Sequence, residues 1–110
     1  MKAAVLIALA FGLAGCASTV TGYRSEAPAL EYVTAKSADE TIRCLGGQFE
    51  ALGNAATLKA SSVGQTLGWT DNTRMFVDVL PVEGGTRVVF HKHGVLFGDH
   101  YTAAVARCRD

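Results

Sequence analysis

The sequence of 110 residues has no long hydrophobic run and no excess of one charge, and it contains only two prolines and three cysteines. Its longest mainly apolar stretch, residues 3–13, is too short to cross the ~30 Å hydrocarbon core of a bilayer as a helix. Ten basic residues balance ten acidic residues, and they form no basic stripe. The composition therefore argues against a nucleic-acid partner and against a polybasic membrane patch.

Motifs of the common catalytic and cofactor sites are missing as well. Ser61 and Ser62 have no GxSxG turn around them, and the cysteines form no CxxC pair. The glycine-containing stretches match no phosphate-binding loop. We therefore expect no enzyme activity and no cofactor.

The most specific feature that is present lies at the N-terminus. Lys2 precedes the apolar stretch, and Leu13-Ala14-Gly15-Cys16 ends it, an order that is typical of a cleaved targeting segment. Leu13-Ala14-Gly15-Cys16 resembles the lipobox of bacterial lipoproteins, and the layout of the chain is similar to short, uncharacterised proteobacterial lipoproteins. An ordinary secretory signal that is cleaved nearby is the alternative.

The resemblance implies that residues 1–15 are a lipoprotein signal peptide. It also implies that the Cys16 thiol carries a thioether-linked lipid and that the Cys16 amine is acylated by a fatty acid such as palmitate. Ala17 follows the cysteine in place of an inner-membrane retention aspartate, which favours the outer membrane. We expect the domain to face the periplasm, with exposure at the cell surface as an open alternative.

Residues 16–30 carry Ser, Thr, Gly and Pro and have no periodicity, which indicates a flexible tether. Tyr23 and Arg24 could instead dock on the domain or on lipid. Residues 31–110 then form one small periplasmic domain.

With Cys16 assigned to lipid, Cys44 and Cys108 remain as one pair in an oxidising compartment, where a disulfide is expected. Two buried free thiols are the alternative.

Helical signals stand at both ends of the predicted domain. Ser37 and Glu40 form a capping box for a helix that continues to about Leu52. Asp99 can cap a second helix over residues 100–108, although a strand also fits that stretch.

The strongest hairpin signal covers residues 74–93, where two apolar runs flank a glycine pair. If Gly84 and Gly85 form a two-residue loop, Asp78 lies opposite His91. A third strand is expected over residues 63–69. Residues 31–35 are a possible short strand or an extended lead-in, and Leu58 and Ala60 are a possible start of a separate short strand. The prediction is therefore an α+β domain of two layers in the order α-β-β-β-α, with a three-stranded antiparallel sheet, both helices on one face and one disulfide.

Strand alternation divides the hairpin into two faces. The natural core face holds Met75, Val77, Val79, Val88 and Phe90. The second face is more apolar than a solvated sheet face usually is, so either further structure covers it or it is a docking surface. Its candidate interaction residues are Phe76, Leu80, Val82 and Val89.

A weak metal-site candidate lies on the same second face. His91 and His93 share that face, and Asp78 could stand beside them to complete a set of two imidazoles and a carboxylate. The alternative is a surface Asp–His pair, and no metal is expected.

The sequence thus predicts a non-enzymatic envelope lipoprotein that is held in the membrane by Cys16 and acts through contacts with an envelope protein or a second copy. A small-ligand or metal-binding lipoprotein and an inhibitor or surface-defence lipoprotein are the alternatives. CLGG at residues 44–47 and the late Cys108 resemble Bor-type serum-resistance lipoproteins, but the central region departs from their pattern.

Overall fold

The computed structural model describes residues 22–94 and 98–110. The predicted signal peptide at residues 1–15, the predicted lipidation site Cys16 and the first part of the predicted tether lie outside the described residues. Regular elements within the described part are, in chain order, β1 (Leu30–Thr34), α1 (Ala38–Ala51), β2 (Thr57–Ser61), β3 (Gly64–Trp69), β4 (Asn72–Val82), β5 (Gly85–Lys92) and α2 (Gly98–Ala106). A single helical turn at residues 22–24 precedes them. Among these residues, no helix combines the length and the apolar composition needed to cross a bilayer.

The strands form one antiparallel sheet in the order β1-β5-β4-β3-β2, so the predicted three-stranded sheet is wrong. The two additional strands, β1 and β2, are the edges of the sheet. Four of the five residues of β2 are exposed. A strand without a buried side shows no hydrophobic alternation. β2 is therefore recognisable by its pairing with β3 and not by burial of its side chains.

The β4–β5 hairpin is confirmed, but its register differs by two residues from the one expected. Val82 pairs with Gly85, so the loop consists of Glu83 and Gly84, and Asp78 faces Val89. Gly84 takes the left-handed backbone conformation, with φ of 83°. A shift of two residues keeps every side chain on its predicted face, because side chains alternate with a period of two.

Helix α1 begins at the predicted capping box. The Ser37 hydroxyl accepts a hydrogen bond from the Glu40 amide at 3.2 Å and also lies 3.3 Å from the Glu40 carboxylate. Its buried side carries Leu45 and Phe49, which pack against the predicted core face of the hairpin. The helix therefore covers one face of the sheet and leaves the other to different partners.

Helix α2 confirms the helical alternative for the C-terminal segment and packs beside α1. The predicted disulfide between Cys44 and Cys108 is present, with 5.8 Å between the two Cα atoms. Tyr32 of β1 donates a 2.7 Å hydrogen bond to the carbonyl of Val105, and burial raises the pKa of Tyr32 to about 12. These contacts place both helices on the same face of the sheet.

Candidate functional site

The candidate site lies on the outer face of the sheet, which we define as the face opposite α1 and α2. A segment of the chain crosses this face before β1 begins. We call residues 22–29 the N-terminal strap. Its last residue donates a 2.8 Å hydrogen bond from the Ala29 amide to the Phe90 carbonyl, which leads the chain into β1. Tyr23 and Arg24, for which docking was one of two alternatives, lie against the sheet.

Arg24 clasps the strap to the middle of the sheet through a bidentate ion pair. Its Nε donates to Asp78 Oδ2 and its Nη2 to Asp78 Oδ1, each at 2.9 Å. The Asp78 side chain is only 4% exposed and that of Arg24 is 18% exposed. The hydrogen bonds to Asp78 raise the pKa of Arg24, although burial opposes the charge. The two charges are therefore held together, largely out of water.

Neighbouring strands complete the shell around this ion pair. The Thr66 hydroxyl of β3 donates to Asp78 Oδ1 at 2.7 Å and accepts from Arg24 Nη2 at 3.1 Å. It also lies 2.9 Å from the hydroxyl of Ser61 on β2. The Arg24 guanidinium sits over the ring of Phe76, 5.3 Å from its centroid. Both oxygens of the buried carboxylate consequently have hydrogen-bond partners.

Four rings form a continuous stack next to the clasp. Phe76 stacks on His91 at 5.0 Å between centroids, His91 on His93 at 5.8 Å, and His93 on Tyr23 of the strap at 4.5 Å. His93 Nδ1 lies 2.8 Å from the carboxylate of Glu26, also in the strap. The strap is thus held at two places, by an ion pair over β4 and by a ring stack at the end of β5.

Burial lowers the pKa of His91, an effect that outweighs the attraction of Asp78 for the protonated form. Its Nδ1 and the Nε2 of His93 are buried without a hydrogen-bond partner among the described residues. His91 and His93 are stacked with other rings, and Asp78 is paired with Arg24, so the three weak metal candidates make other contacts. Within residues 22–94 and 98–110, no three His, Cys, Asp or Glu side chains converge on a possible metal position.

The four candidate interaction residues have two different environments. Phe76 is buried, 3% exposed, beneath the strap. Leu80 and Val89 are half-buried, and Val82 is 38% exposed. The neighbouring edge strand adds Val33, which is 60% exposed. We call Val33, Leu80, Val82 and Val89 the open region of the outer face.

The open region also carries a surface ion pair. Arg87 of β5 pairs with Glu31 of β1 across the sheet, and both side chains keep contact with water. Exposed pairs of this kind add little stability. The open region therefore combines exposed aliphatic side chains with a polar centre, a composition that suits a protein contact.

A cleft of about 310 Å³ opens between the strap and the β2–β3 hairpin. Its lining includes Arg24, Lys59, Ser61, Ser62, Thr66, Gly68, Trp69, Asn72, Thr73, Met75 and Phe76. Sequence reasoning missed this cleft, because one wall comes from Arg24 and the other from residues at least 35 positions further along the chain. The one available signal was the pair Tyr23-Arg24 within a polar segment.

Comparisons with protein-family models, with curated proteins and with solved structures find no match to this chain.

Proposed function

We propose that the protein is a bacterial envelope lipoprotein, anchored in the outer membrane by a lipidated Cys16, with a periplasmic domain that binds a partner protein without catalysing a reaction. The clasped strap is the observation that carries the proposal. A chain that only needs a flexible linker has no need to bury an ion pair, because desolvation of the two charges offsets most of their attraction.

The strap limits how far the domain stands from the membrane. The flexible tether expected from the sequence would reach about 45 Å when fully extended. With Arg24 clasped, the link from Cys16 to Gly22 spans six residues, at most about 20 Å. The outer face then stays close to the lipid surface, and two or more lipid chains make the anchorage stable.

The open region is where this arrangement leaves a surface for a partner. Val33 and Val82 expose aliphatic side chains there, and Arg87 and Glu31 supply polar groups for specificity. The strap covers Phe76 and Asp78 but leaves Val82 exposed. A partner protein would therefore contact the hairpin end of the outer face, beside the strap.

The anchor is tested by changing Cys16→Ala in cells and separating membrane from periplasmic fractions. We expect the unchanged chain in the outer-membrane fraction and the variant in the soluble periplasm, with the disulfide between Cys44 and Cys108 intact in both. A variant that stays in the membrane would contradict lipidation at Cys16.

The partner contact is tested with a photocrosslinking residue at Val82 and, as a matched control, at Glu50 on the exposed side of α1. We expect one defined protein adduct from position 82 and none from position 50, and we expect Leu80→Glu to abolish it without loss of the fold. Equal crosslinking from both positions, or an adduct unaffected by Leu80→Glu, would mean that the open region is not the contact.

A further inference from the structure

The cleft between the strap and the β2–β3 hairpin has the size and the lining of a small-molecule site. Its volume of about 310 Å³ lies at the lower end of the range of ligand pockets. The lining is more apolar than polar, and several of its residues carry hydroxyl or amide groups. We propose that this cleft binds a small organic anion with an apolar body, and that Lys59 selects for the negative charge.

The charge of the lining points to an anion. Arg24 and Lys59 are among the lining residues, whereas no Asp or Glu is. The charge of Arg24 is largely offset by Asp78, which lies beneath it with both oxygens bound. Lys59 has no ion-pair partner among the described residues, so its charge acts on whatever enters the cleft.

Lys59 is placed to act in this way by the pairing of its strand. Lys59 of β2 stands opposite Thr66 of β3. Directly opposed residues point to the same face of a sheet, and Thr66 contacts Arg24 and Asp78 on the outer face. Lys59 and the strap consequently border the same cleft from its two sides, with hydroxyl groups between them.

Gly68 keeps part of this space free. It stands opposite Phe76 at the point where the register between β3 and β4 shifts. A Cβ atom added there would meet only the Phe76 Cβ, at 3.7 Å, an ordinary van der Waals contact. The sheet can therefore accept a larger residue at position 68, and its side chain would occupy the cleft instead of disturbing the core.

The proposal does not depend on the proposed function, because it needs neither the lipid nor the open region. It is tested with the full chain carrying Cys16→Ala, so that no detergent competes for the probes. The probes share one ring system and differ in charge: the naphthoate anion, its neutral amide and the naphthylmethylammonium cation. Affinity is measured by isothermal titration calorimetry, and the backbone amide resonance of Gly68, which lines the cleft, reports binding there.

We expect naphthoate to bind at least about tenfold more tightly than the amide or the cation. Lys59→Met should remove most of that preference and leave the affinity for the amide unchanged. Arg43→Met, which removes an exposed charge from α1 on the other layer, should change neither. Gly68→Val should abolish binding of all three probes.

Three results would overturn the proposal: equal affinity for the three probes, unchanged naphthoate binding in Lys59→Met, or no saturable binding. Lys59 is exposed and makes no contact that the fold requires, so its variant tests the charge even where Gly68→Val fails to fold. A correct membrane location and partner adduct together with absent naphthoate binding would refute the cleft alone.

Discussion

Removal of Arg24 should destabilise the domain more than removal of any exposed arginine. Arg24→Ala leaves the Asp78 carboxylate, only 4% exposed, without its counter-charge. Breaking a buried ion pair from one side costs about 3–5 kcal/mol. Because the Thr66 hydroxyl still donates to the carboxylate and some water can enter, we expect about 2–3 kcal/mol.

The reverse change should cost less, because the two partners differ in exposure. Asp78→Ala frees Arg24, whose side chain is 18% exposed and can turn toward water, so we expect about 1–2 kcal/mol. The double variant should cost less than the sum of the two, with a coupling of about 1–3 kcal/mol.

The assay is urea unfolding of the chain with Cys16→Ala, followed by the fluorescence of Trp69. The penalty in Arg24→Ala arises from a buried carboxylate that is left unpaired.

A matched control lies on the same face. Arg87 pairs with Glu31 in the same chemistry, but these side chains are 49% and 35% exposed. Arg87→Ala should therefore change the free energy of unfolding by about 0–1 kcal/mol. If Arg24→Ala costs no more than Arg87→Ala, or if the two Arg24–Asp78 single changes add without coupling, the strap is not clasped as described.

Three other predictions concern the rest of the domain. Replacing Cys44 and Cys108 together by Ser should lower the free energy of unfolding by roughly 2–4 kcal/mol in urea titrations, because the disulfide closes a 64-residue separation; an unchanged midpoint would contradict this. Gly85→Ala should cost well over about 2 kcal/mol, since its Cβ would lie 1.9 Å from a β1 carbonyl, whereas Gly84→Ala meets open space and should cost about 1 kcal/mol for its left-handed backbone. The free energy of unfolding should fall as the pH drops below about 6.5, because His91 binds a proton more readily in the unfolded chain than when it is buried. His91→Phe should flatten this pH dependence. An equally steep curve in the variant would mean that another group causes it.

The parts of the fold that were predictable carry strong local signals. The capping box at Ser37 and the apolar positions Leu45 and Phe49 define α1 within a few residues, and the alternation along the hairpin identifies its core face. Gly46 and Gly47 lie within α1, where glycine lowers the helix propensity. A Cβ at Gly46 or Gly47 would meet nothing within 4 Å, and the helix continues through both.

The hairpin register was not predictable, because Gly84 and Gly85 serve different purposes. Gly84 supplies the left-handed conformation of the loop. Gly85 belongs to β5 and is needed because the Thr34 carbonyl of β1 approaches it too closely for a side chain. That requirement comes from a strand fifty residues away, so a local turn rule counts both glycines as loop. β1 is short and lies at the edge, so residues 31–35 were predicted only as a possible short strand or an extended lead-in.

The partner of Arg24 was hidden for a related reason. Asp78 is 54 residues further along the chain, and nothing in the polar segment around Arg24 marks it as buried. The sequence did indicate that the outer face is too apolar to be fully solvated. The strap covers Phe76, so further structure accounts for that part of the face, whereas docking at the open region stays a proposal.

Arg24 connects the ion pair that holds the strap, the wall of the cleft and the chain that leads toward Cys16. An apolar pair at positions 24 and 78 could stabilise the domain as well, because the desolvation of two charges offsets most of their attraction. An apolar pair would not fix the orientation of the two side chains, however. The bidentate contact holds the guanidinium plane over Phe76 and against Thr66. The fixed plane forms one wall of the cleft and also sets where the chain toward Cys16 leaves the sheet. With the proposed anchor at Cys16, a pull on the anchor would act first on the wall of the cleft, and release of the ion pair would open the cleft and lengthen the proposed link to the membrane.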